Sequence, residues 1–398
     1  MFLLKAVFHI EKCNTFGEVL DKLRIMAIEI KEVESSSDIK DFVNFQFKLY
    51  KKEKMWVPPM KMDEISSLTA EKNPAFLFCD TKFWLAYKDG KPVGRIGVIL
   101  NRRENRDVEK KVARFTRIEF IDDYEVSKTL LETAELWSRF MGYEIIHGPL
   151  GFANLDHQAV LIEGHEHLPS VASEWHMPYY KEHIERCGYE KEMDWVEFRL
   201  TLPDEAPEKV IKVAEIVKQR MGVEIRSFKT TKEMMPFADR LFELLNTAFG
   251  ELFSFVHLDE KMRAFYIKKY MPILSPKFVK LVFNKEGEMI GFIIGLPSLS
   301  NAMQKAKGRL LPFGWWHILQ AYKKCDTIDL LLTGMDPKLQ GHGYAALLMV
   351  EMLKTARDNG ARYAETTGMI ETNIKAIQNW KSYEHIQHKR KRCFIKNI

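Results

Sequence analysis

The segment IDLLLTGMDPKLQGHGYAALLMVEMLK, from Ile328 to Lys354, decides the fold of this chain. Its first residues, Ile328 to Leu332, are almost wholly apolar, which is typical of a strand buried on both faces. Pro337 cannot continue the hydrogen bonding of that strand, so the chain turns there. From Ala345 onward, apolar residues recur at helical spacing. The segment therefore predicts a strand, a glycine-containing loop and a helix.

The loop QGHGYA, from Gln340 to Ala345, has the features of an anion site. The first N–H groups of a helix have no intrahelical acceptor, and the helix dipole adds partial positive charge beside them. Gly341 and Gly343 carry no side chain that would keep a phosphate away from the backbone. A Walker A loop would need Lys and then Ser or Thr here, and a dinucleotide fingerprint would need a third glycine in an early βαβ unit. The loop has neither pattern.

The loop resembles the acyl-CoA loop of the GNAT acetyltransferase superfamily, Arg/Gln-x-x-Gly-x-Gly/Ala, which Gln340, Gly343 and Ala345 match. The resemblance continues to the end of the chain. A strand is predicted at 361–369, a helix at 374–383 and a last strand at 388–398. Asn373 and Ala376 stand three apart at the start of that helix, as in the family. The alternative for the loop alone is an ordinary glycine turn.

Composition is consistent with a cytoplasmic enzyme. The chain has 398 residues and a net charge of +5, which is too mildly basic to imply nucleic acid. Its five cysteines form no CxxC pair, so neither a disulfide framework nor a zinc ribbon is expected, and no metal is predicted. No apolar run reaches the length of a membrane span. Residues 1–25 read as a possible upstream extension, which the sequence does not settle.

The order of predicted elements repeats. The first half reads β, α, β, β, β, α, β, α, β, and the second half begins with a strand, two helices and a hairpin before the segment quoted above. This order predicts an α/β fold with a mixed sheet, built from two GNAT-like domains in tandem. We expect a domain at 26–203, a linking helix at 204–221 and a second domain at 222–398. Several stretches, among them Trp56–Pro59 and GMDPKLQGHGYAALL, resemble uncharacterised bacterial tandem GNAT-like proteins.

The first half lacks the glycine loop. At the corresponding place it has Ile121 to Glu125, which carries three carboxylates and no glycine. Aspartates at a helix N-terminus already cap it and would repel a pyrophosphate. The first domain is therefore expected to bind no CoA.

The resemblance implies a set of cofactor-binding residues. The loop N–H groups would hold the pyrophosphate, the end of the strand at Met335 would hold the pantetheine arm, and Asn373 would contact the cofactor. For Asn373, a simple helix cap is an equally good interpretation, and the two can coexist. The implied contacts with acetyl-CoA or another acyl-CoA are Met335, Gln340, Gly341, His342, Gly343, Tyr344, Ala345 and Asn373.

Proton handling departs from the family pattern. Many members place a Tyr four residues after the helix Ala, where this chain has Trp380, whose indole is no practical acid. Tyr383 follows one turn later, so either it substitutes, or the thiolate leaves unassisted, or the protein is not catalytic. Glu365, and after it Glu371, are the candidate general bases. The alternatives are packing at a helix end for Tyr383 and structural ion pairs for the two carboxylates.

Three further features of the sequence each have a functional interpretation and a simpler structural one. Leu296–Asp326 is an aromatic-rich insertion that either lines an acceptor groove or packs between domains. The basic run His388–Arg392 is expected to be a solvated sheet edge rather than a nucleic-acid patch. Several histidines crowd one span without a metal-binding spacing, and they are expected on surfaces or loops. They are His157, His165, His167, His176 and His183.

The function predicted from sequence is direct acyl transfer, in a ternary complex, from acyl-CoA to an amine. Acetyl-CoA is the expected donor, and the acceptor is a small molecule or a peptide. The alternatives are a non-catalytic acyl-CoA-binding or scaffold protein, and an aminoacyl transferase of the peptidoglycan-precursor type. The last would need a basic channel across both domains.

Overall fold

The computed structural model describes residues 28–105, 108–324, 326–380 and 382–398. Residues 1–25, read above as a possible extension, lie outside these ranges. Within them the chain forms one large mixed sheet with helices on its faces, which confirms the predicted α/β class. The sheet positions the residues of the candidate site.

The strands follow the predicted order closely. They are β1 (Glu29–Glu32), β2 (Cys79–Lys88), β3 (Lys91–Asn101), β4 (Val112–Phe120), β5 (Ile145–Gly148), β6 (Val160–Glu163), β7 (Glu190–Thr201), β8 (Glu224–Ser227), β9 (Val279–Phe283), β10 (Met289–Pro297), β11 (Thr327–Met335), β12 (Tyr363–Thr366), β13 (Met369–Ile370) and β14 (His385–Asn397). The strand β6 is absent from the sequence-based assignment. The predicted strand at 361–369 is divided into β12 and β13.

The helices lie between these strands. They are α1 (Ser36–Leu49), α2 (Lys61–Ser67), α3 (Tyr124–Phe140), α4 (Tyr180–Arg186), α5 (Glu208–Met221), α6 (Thr231–Met234), α7 (Ala238–Phe249), α8 (Glu260–Tyr270), α9 (Ser300–Ala306), α10 (Gly314–Lys323), α11 (Tyr344–Asp358) and α12 (Ile374–Gln378). The helix α5 is found where a linking helix is predicted. The helix α12 ends earlier than predicted, before Tyr383.

The two halves exchange strands at the centre of the sheet. The order is β1-β2-β3-β4-β5-β14-β7-β12-β11-β10-β9-β8. The last strand of the chain, β14, pairs with β5 of the first half, and β7 pairs with β12 of the second half. Strand pairing therefore crosses the expected boundary near residue 203. The division of the chain into two domains stays a prediction.

The central position of β14 corrects the interpretation of its basic run. The strand was expected at a solvated edge, but it has β7 on one side and β5 and β6 on the other. The Lys389 side chain is completely buried, and its ammonium lies 3.4 Å from the Glu197 carboxylate. Lys391 contacts the same carboxylate at 3.2 Å. These cations neutralise a buried acid, because an unpaired charge there would be costly.

Both halves contribute to a shared apolar core. Phe42 and Phe83 of the first half belong to the same buried cluster as Phe242 and Phe292 of the second. Burial of large apolar side chains on the facing surfaces holds the halves together. The space that remains between them is the candidate site.

Candidate functional site

Two parallel strands separate at the centre of the second half. The strands β11 and β12 pair only from Thr327 to Leu330 and from Tyr363 to Thr366. Beyond these residues β11 continues to Met335 with β10 on its other side, while β13 turns away to pair with β7. The Leu331 carbonyl still accepts from the Thr367 hydroxyl at 2.9 Å, but from Leu332 onward this edge of β11 pairs with no described strand and could receive an extended ligand.

A β-bulge lies at the point of separation. On β10, Ile294 pairs with Leu332 and Gly295 pairs with Leu330, so Leu331 is the extra residue of β11. A bulge redirects the backbone locally and interrupts the ladder. Its position at the mouth of the opening turns main-chain polar groups toward the space between the strands.

The helix α11 begins at this opening without a side-chain cap. Its N-cap residue is Gly343, with φ of 87°, and the first backbone bonds run from Ala346 and Leu347 to the Gly343 carbonyl. The preceding N–H groups are free to bind an anion. A Cβ at Gly343 would lie 2.8 Å from Val213 and 2.9 Å from Val217 of α5, so the linking helix covers one side of the loop.

A cavity of about 1470 Å³ starts at this loop and extends between the two halves. Apolar side chains form most of its wall. Of the predicted cofactor residues, all but His342 line it, and His342 is exposed, with Nδ1 3.2 Å from the Leu339 carbonyl. The lining residues are Met335, Gln340, Gly341, Gly343, Tyr344, Ala345 and Asn373.

The last helix presents Asn373 and Trp380 to the cavity but not Tyr383. The Asn373 side chain accepts a hydrogen bond from the Ala376 N–H, so it also caps α12. Trp380 lines the cavity and its indole N–H donates to the Met369 sulfur. Tyr383 is absent from the described lining and packs in the second-half core. Burial raises the pKa of Tyr383 to about 12.

The two candidate bases are held in ion pairs away from the described cavity wall. Glu371 lies 2.6 Å from Lys191 and 3.1 Å from Arg390. Glu365 lies 3.5 Å from His388 and 3.6 Å from Lys389. Burial would raise the pKa of Glu365, but these neighbours lower it overall. Both carboxylates are thus in ion pairs, as in the structural alternative given in the sequence analysis. The catalytic role of Glu365 and Glu371 stays a prediction.

The first half contributes a charged wall that the sequence analysis did not identify. Glu64 of α2 pairs with Arg117 of β4 at 3.2 Å, and both line the cavity beside Asp156, His157 and Lys269. Burial would raise the pKa of Glu64, but Arg117 and the neighbouring Arg95 and Lys269 bring it to about 2. Arg117 has a φ of 48°, an uncommon value for a non-glycine residue that is found at functional sites.

His157 is the imidazole that this wall offers to a ligand. Its ring lines the cavity, and its Nδ1 atom is buried without a hydrogen-bond partner among the described residues. The polar run Asn154-Leu155-Asp156-His157 directly after the HGPLGF stretch was the available sequence signal. Of the crowded histidines, His183 is buried within α4, which corrects the expectation of a surface or loop position, and His176 lies in a loop but is buried.

A second polar cluster lies behind the cavity. His147, Glu192 and Cys393 each offer one potential ligand atom, and these atoms lie within 4.8 Å of one another. The Glu192 carboxylate lies 2.9 Å from the His147 Nδ1 atom and accepts from the Cys393 thiol at 3.4 Å. The prediction of no resident metal stays a prediction. Among the described residues, no helix has the length and apolarity needed to cross a membrane.

In the first half, the loop from Ile121 to Glu125 has its polar groups bonded to side chains of the same half. The Asp123 carboxylate accepts from the Glu125 N–H at the start of α3 and also pairs with Lys88 at 2.6 Å. Asp122 lies 3.0 Å from His183. The helix N-terminus that would correspond to a CoA site is thus already capped by carboxylates, as the sequence suggested.

Comparison with solved structures identifies this arrangement. A tandem GNAT protein from the clavulanic acid biosynthesis pathway matches 93% of this chain and 98% of its own, with a TM-score of 0.54 and 14% identity. The chain has the tandem GNAT fold. A fungal GCN5-related glucosamine N-acetyltransferase region matches 93% of this chain and 38% of its own multi-domain chain, with a TM-score of 0.55 and 11% identity. The predicted resemblance to the GNAT superfamily is confirmed at the level of fold.

Sequence comparison adds two relatives of the whole tandem GNAT chain. Protein YghO of Escherichia coli K12 is 26% identical over 371 residues, covering 92% of this chain and 94% of the relative. A bacterial ceramide synthase of Caulobacter vibrioides is 25% identical over 341 residues, covering 83% and 86%. No family model matches the chain.

Proposed function

We propose that this protein is an N-acyltransferase that moves an acyl group from acyl-CoA to the amine of a long-chain lipid, in a direct ternary complex. The observation that carries the proposal is the apolar cavity of about 1470 Å³, which joins the uncapped N-terminus of α11 to the space between the halves. Drug-sized ligands occupy pockets of roughly 300–1,000 Å³. A pantetheine arm with an acetyl group and a small amine would leave much of this volume empty.

One of the two relatives supports a lipid acceptor. It is named a bacterial ceramide synthase, and ceramide is the amide of a fatty acid and a long-chain amino alcohol. Apolar side chains on helices of the second half, including Leu241, Phe242 and Met349, provide the surface that such chains require. Each buried methylene contributes about 0.8 kcal/mol, so a long chain would add several kcal/mol of binding free energy.

The donor would bind along the path predicted from sequence. The N–H groups from Gly341 to Ala345 would hold the pyrophosphate, and the edge of β11 from Leu332 to Met335 would pair with the pantetheine amides. A main-chain N–H at the bulge would polarise the thioester carbonyl. Asn373 would close the other side of the opening.

The acceptor amine would approach from the first half. Glu64, Asp156 and the neighbouring Asp63 place carboxylates on that wall, which favour an ammonium group. His157 would then remove a proton, since its Nδ1 atom is buried and free within the described structure. The resulting neutral amine attacks the thioester carbon, the C–S bond breaks and CoA leaves as the thiolate, and the nitrogen gives up its second proton to water to leave the amide. With Tyr383 packed in the core, the thiolate leaves unassisted, which is one of the options left open by the sequence.

Product formation tests this proposal. The purified protein is incubated with acetyl-CoA or palmitoyl-CoA and with sphinganine or a short amine such as ethanolamine. Mass spectrometry then measures the amide, and a thiol reagent measures free CoA. Amide formed only with the long-chain amine supports the proposal. Equal turnover of the short amine would contradict the lipid acceptor, and no amide with any pair would contradict acyl transfer.

One observation favours a second candidate, a non-catalytic acyl-CoA-binding protein. Trp380 stands where many family members have their acid, and the hydroxyl of Tyr383 has no hydrogen-bond partner among the described residues. This candidate predicts tight binding of acyl-CoA without CoA release. The mostly apolar lining, which carries both Asp156 and Lys269, does not favour the basic channel that aminoacyl-tRNA would need.

A further inference from the structure

The insertion between β10 and β11 carries a group of exposed apolar side chains, here named the insertion surface. It consists of Leu310, Leu311, Phe313, Trp315, Trp316 and Leu319. The exposed fractions of Leu311 and Phe313 reach 76% and 69%. Single exposed apolar residues are ordinary, but a contiguous group rich in Trp and Phe marks an interaction site.

The inner face of the same insertion is fully engaged, so the exposure is not a sign of a loose segment. Ile318, Ala321 and Tyr322 of α10 pack against the cluster of Leu296, Leu299 and Met303. The same cluster includes Val57, Met60 and Val171 of the first half, so the inner face also packs between the halves, which is one of the two alternatives that the sequence left open. The outer face of α10 has no apolar partner within the described structure.

The charged side chains of the insertion itself are all cationic. The sequence contains no acidic residue between Glu288 and Asp326. The exposed cations flanking the surface form no ion pair with any described carboxylate. They are Lys305, Lys307, Arg309, Lys323 and Lys324. A helix with Trp, Phe and Leu on one side and flanking Lys and Arg has the composition of an element that lies in a bilayer interface.

The insertion surface is continuous with the mouth of the cavity. Leu310 belongs both to this surface and to the cavity lining, and Ile318 on the inner face of α10 lines the cavity as well. Met62 of α2, which is 75% exposed, and Ile273 are likewise both exposed and part of the cavity lining. A hydrocarbon chain could therefore pass from a bilayer into the cavity along apolar side chains without crossing water.

We propose that the insertion surface docks this protein on membranes that contain anionic phospholipids, with Trp315, Trp316 and Phe313 inserted among the headgroups. The positive charge selects an anionic bilayer, and the protruding aromatic side chains suit a fluid interface. The inference gives the proposed lipid acyltransferase its source of substrate. The docking itself requires no substrate and no catalysis.

Vesicle sedimentation tests the docking. The full chain is mixed with sucrose-loaded vesicles of phosphatidylcholine alone, or with roughly one third phosphatidylglycerol, at physiological salt. The double variant Leu311→Ser/Phe313→Ser removes two strongly exposed side chains, so the fold should tolerate it. Its control, Leu77→Ser/Ile386→Ser, changes two exposed apolar residues outside the insertion surface and the described cavity wall.

The expected result is binding to the anionic vesicles that falls about tenfold or more in the double variant and stays unchanged in the control. Lys305→Gln/Arg309→Gln should remove the preference for phosphatidylglycerol. No sedimentation with anionic vesicles, or equal loss in both double variants, would overturn the proposal. Dimerisation of wild type in sedimentation velocity, abolished by Leu311→Ser/Phe313→Ser, would assign the surface to a second copy instead.

The outcome is independent of acyl transfer. Activity can be measured with substrates in detergent micelles, where docking plays no part. Vesicle binding without amide formation would leave the docking standing and contradict the proposed function. Amide formation in micelles without vesicle binding would support the proposed function and contradict the docking.

Discussion

A carboxylate placed at Gly341 should abolish most of the affinity for CoA, while the same change at Gly360 should not. Both glycines flank α11, with φ of 85° and 83°, and a Cβ at either position would meet no atom within 4 Å. Only Gly341 lies at the proposed pyrophosphate site. The pair Gly341→Glu and Gly360→Glu therefore shares the backbone strain and the added charge but differs in location.

The expected magnitude follows from Coulomb's law. At an effective dielectric constant of about 20, a carboxylate roughly 6 Å from one phosphate charge costs on the order of 3 kcal/mol. Screening at an exposed loop reduces this to roughly 2 kcal/mol, or about 30-fold in Kd. The left-handed backbone costs about 1–3 kcal/mol of stability in each variant, so the cost cancels in the comparison. Gly343→Glu is less suitable, since its side chain would collide with Val213 and Val217.

Isothermal titration with CoA and acetyl-CoA measures the effect, and thermal melting checks that both variants are folded. The difference between them should shrink as salt is raised, because the loop is exposed. Gly341→Lys should bind at least as well as Gly341→Ala. Equal Kd values for Gly341→Glu and Gly360→Glu would refute the placement of the pyrophosphate. Failure of wild type to bind either ligand would refute the acyl-CoA assignment itself.

Three further predictions concern proton handling and pH. His157→Gln should lower kcat by roughly 100-fold or more while the Kd for acetyl-CoA stays unchanged, and an unaltered kcat would exclude His157 as the base. Tyr383→Phe should leave kcat within about twofold of the wild-type value. It should raise the free energy of unfolding by about 1 kcal/mol, since it removes a buried hydroxyl without a described partner. A large fall in kcat would instead indicate that Tyr383 is the acid. Burial and the neighbouring Glu365 raise the pKa of Asp329 to about 8 from an ordinary value of 3.8. The contribution of Asp329 to stability should therefore fall as pH rises from about 4 to 8, by an amount on the order of 5 kcal/mol, and urea melts of Asp329→Asn should lack that contribution.

Elements with strong local signals could be predicted from the sequence in both halves. The helix α3 of the first half begins and ends at the predicted residues, and the strand, loop and helix of β11 and α11 in the second half lie at the predicted places with small shifts. Their signals are local: apolar periodicity, a proline that stops a strand and a glycine that opens a helix. The loop composition also indicated an anion, because the chemistry of a helix N-terminus depends on a few consecutive residues.

The charged wall of the cavity could not be predicted in the same way. Glu64, Arg117 and His157 lie far apart in the chain and meet only because α2, β4 and the loop after β5 pack against the second half. Nothing in the neighbours of any one of them indicates the other two. The positions of Glu365 and Glu371 in and after a strand predict them as general bases. The sequence does not reveal that Lys389 lies beside Glu365.

The sequence by itself determined the α/β class, the position of the anion loop and the absence of such a loop in the first half. These depend on short-range hydrogen bonding and side-chain periodicity. Only the tertiary structure decided that β14 and β7 exchange places at the centre of the sheet and that Lys389 is buried. It also decided that a large apolar cavity lies between the halves and opens beside the insertion surface. The physical reason is that strand order and cavities are set by long-range packing, in which each residue's environment is supplied by distant parts of the chain.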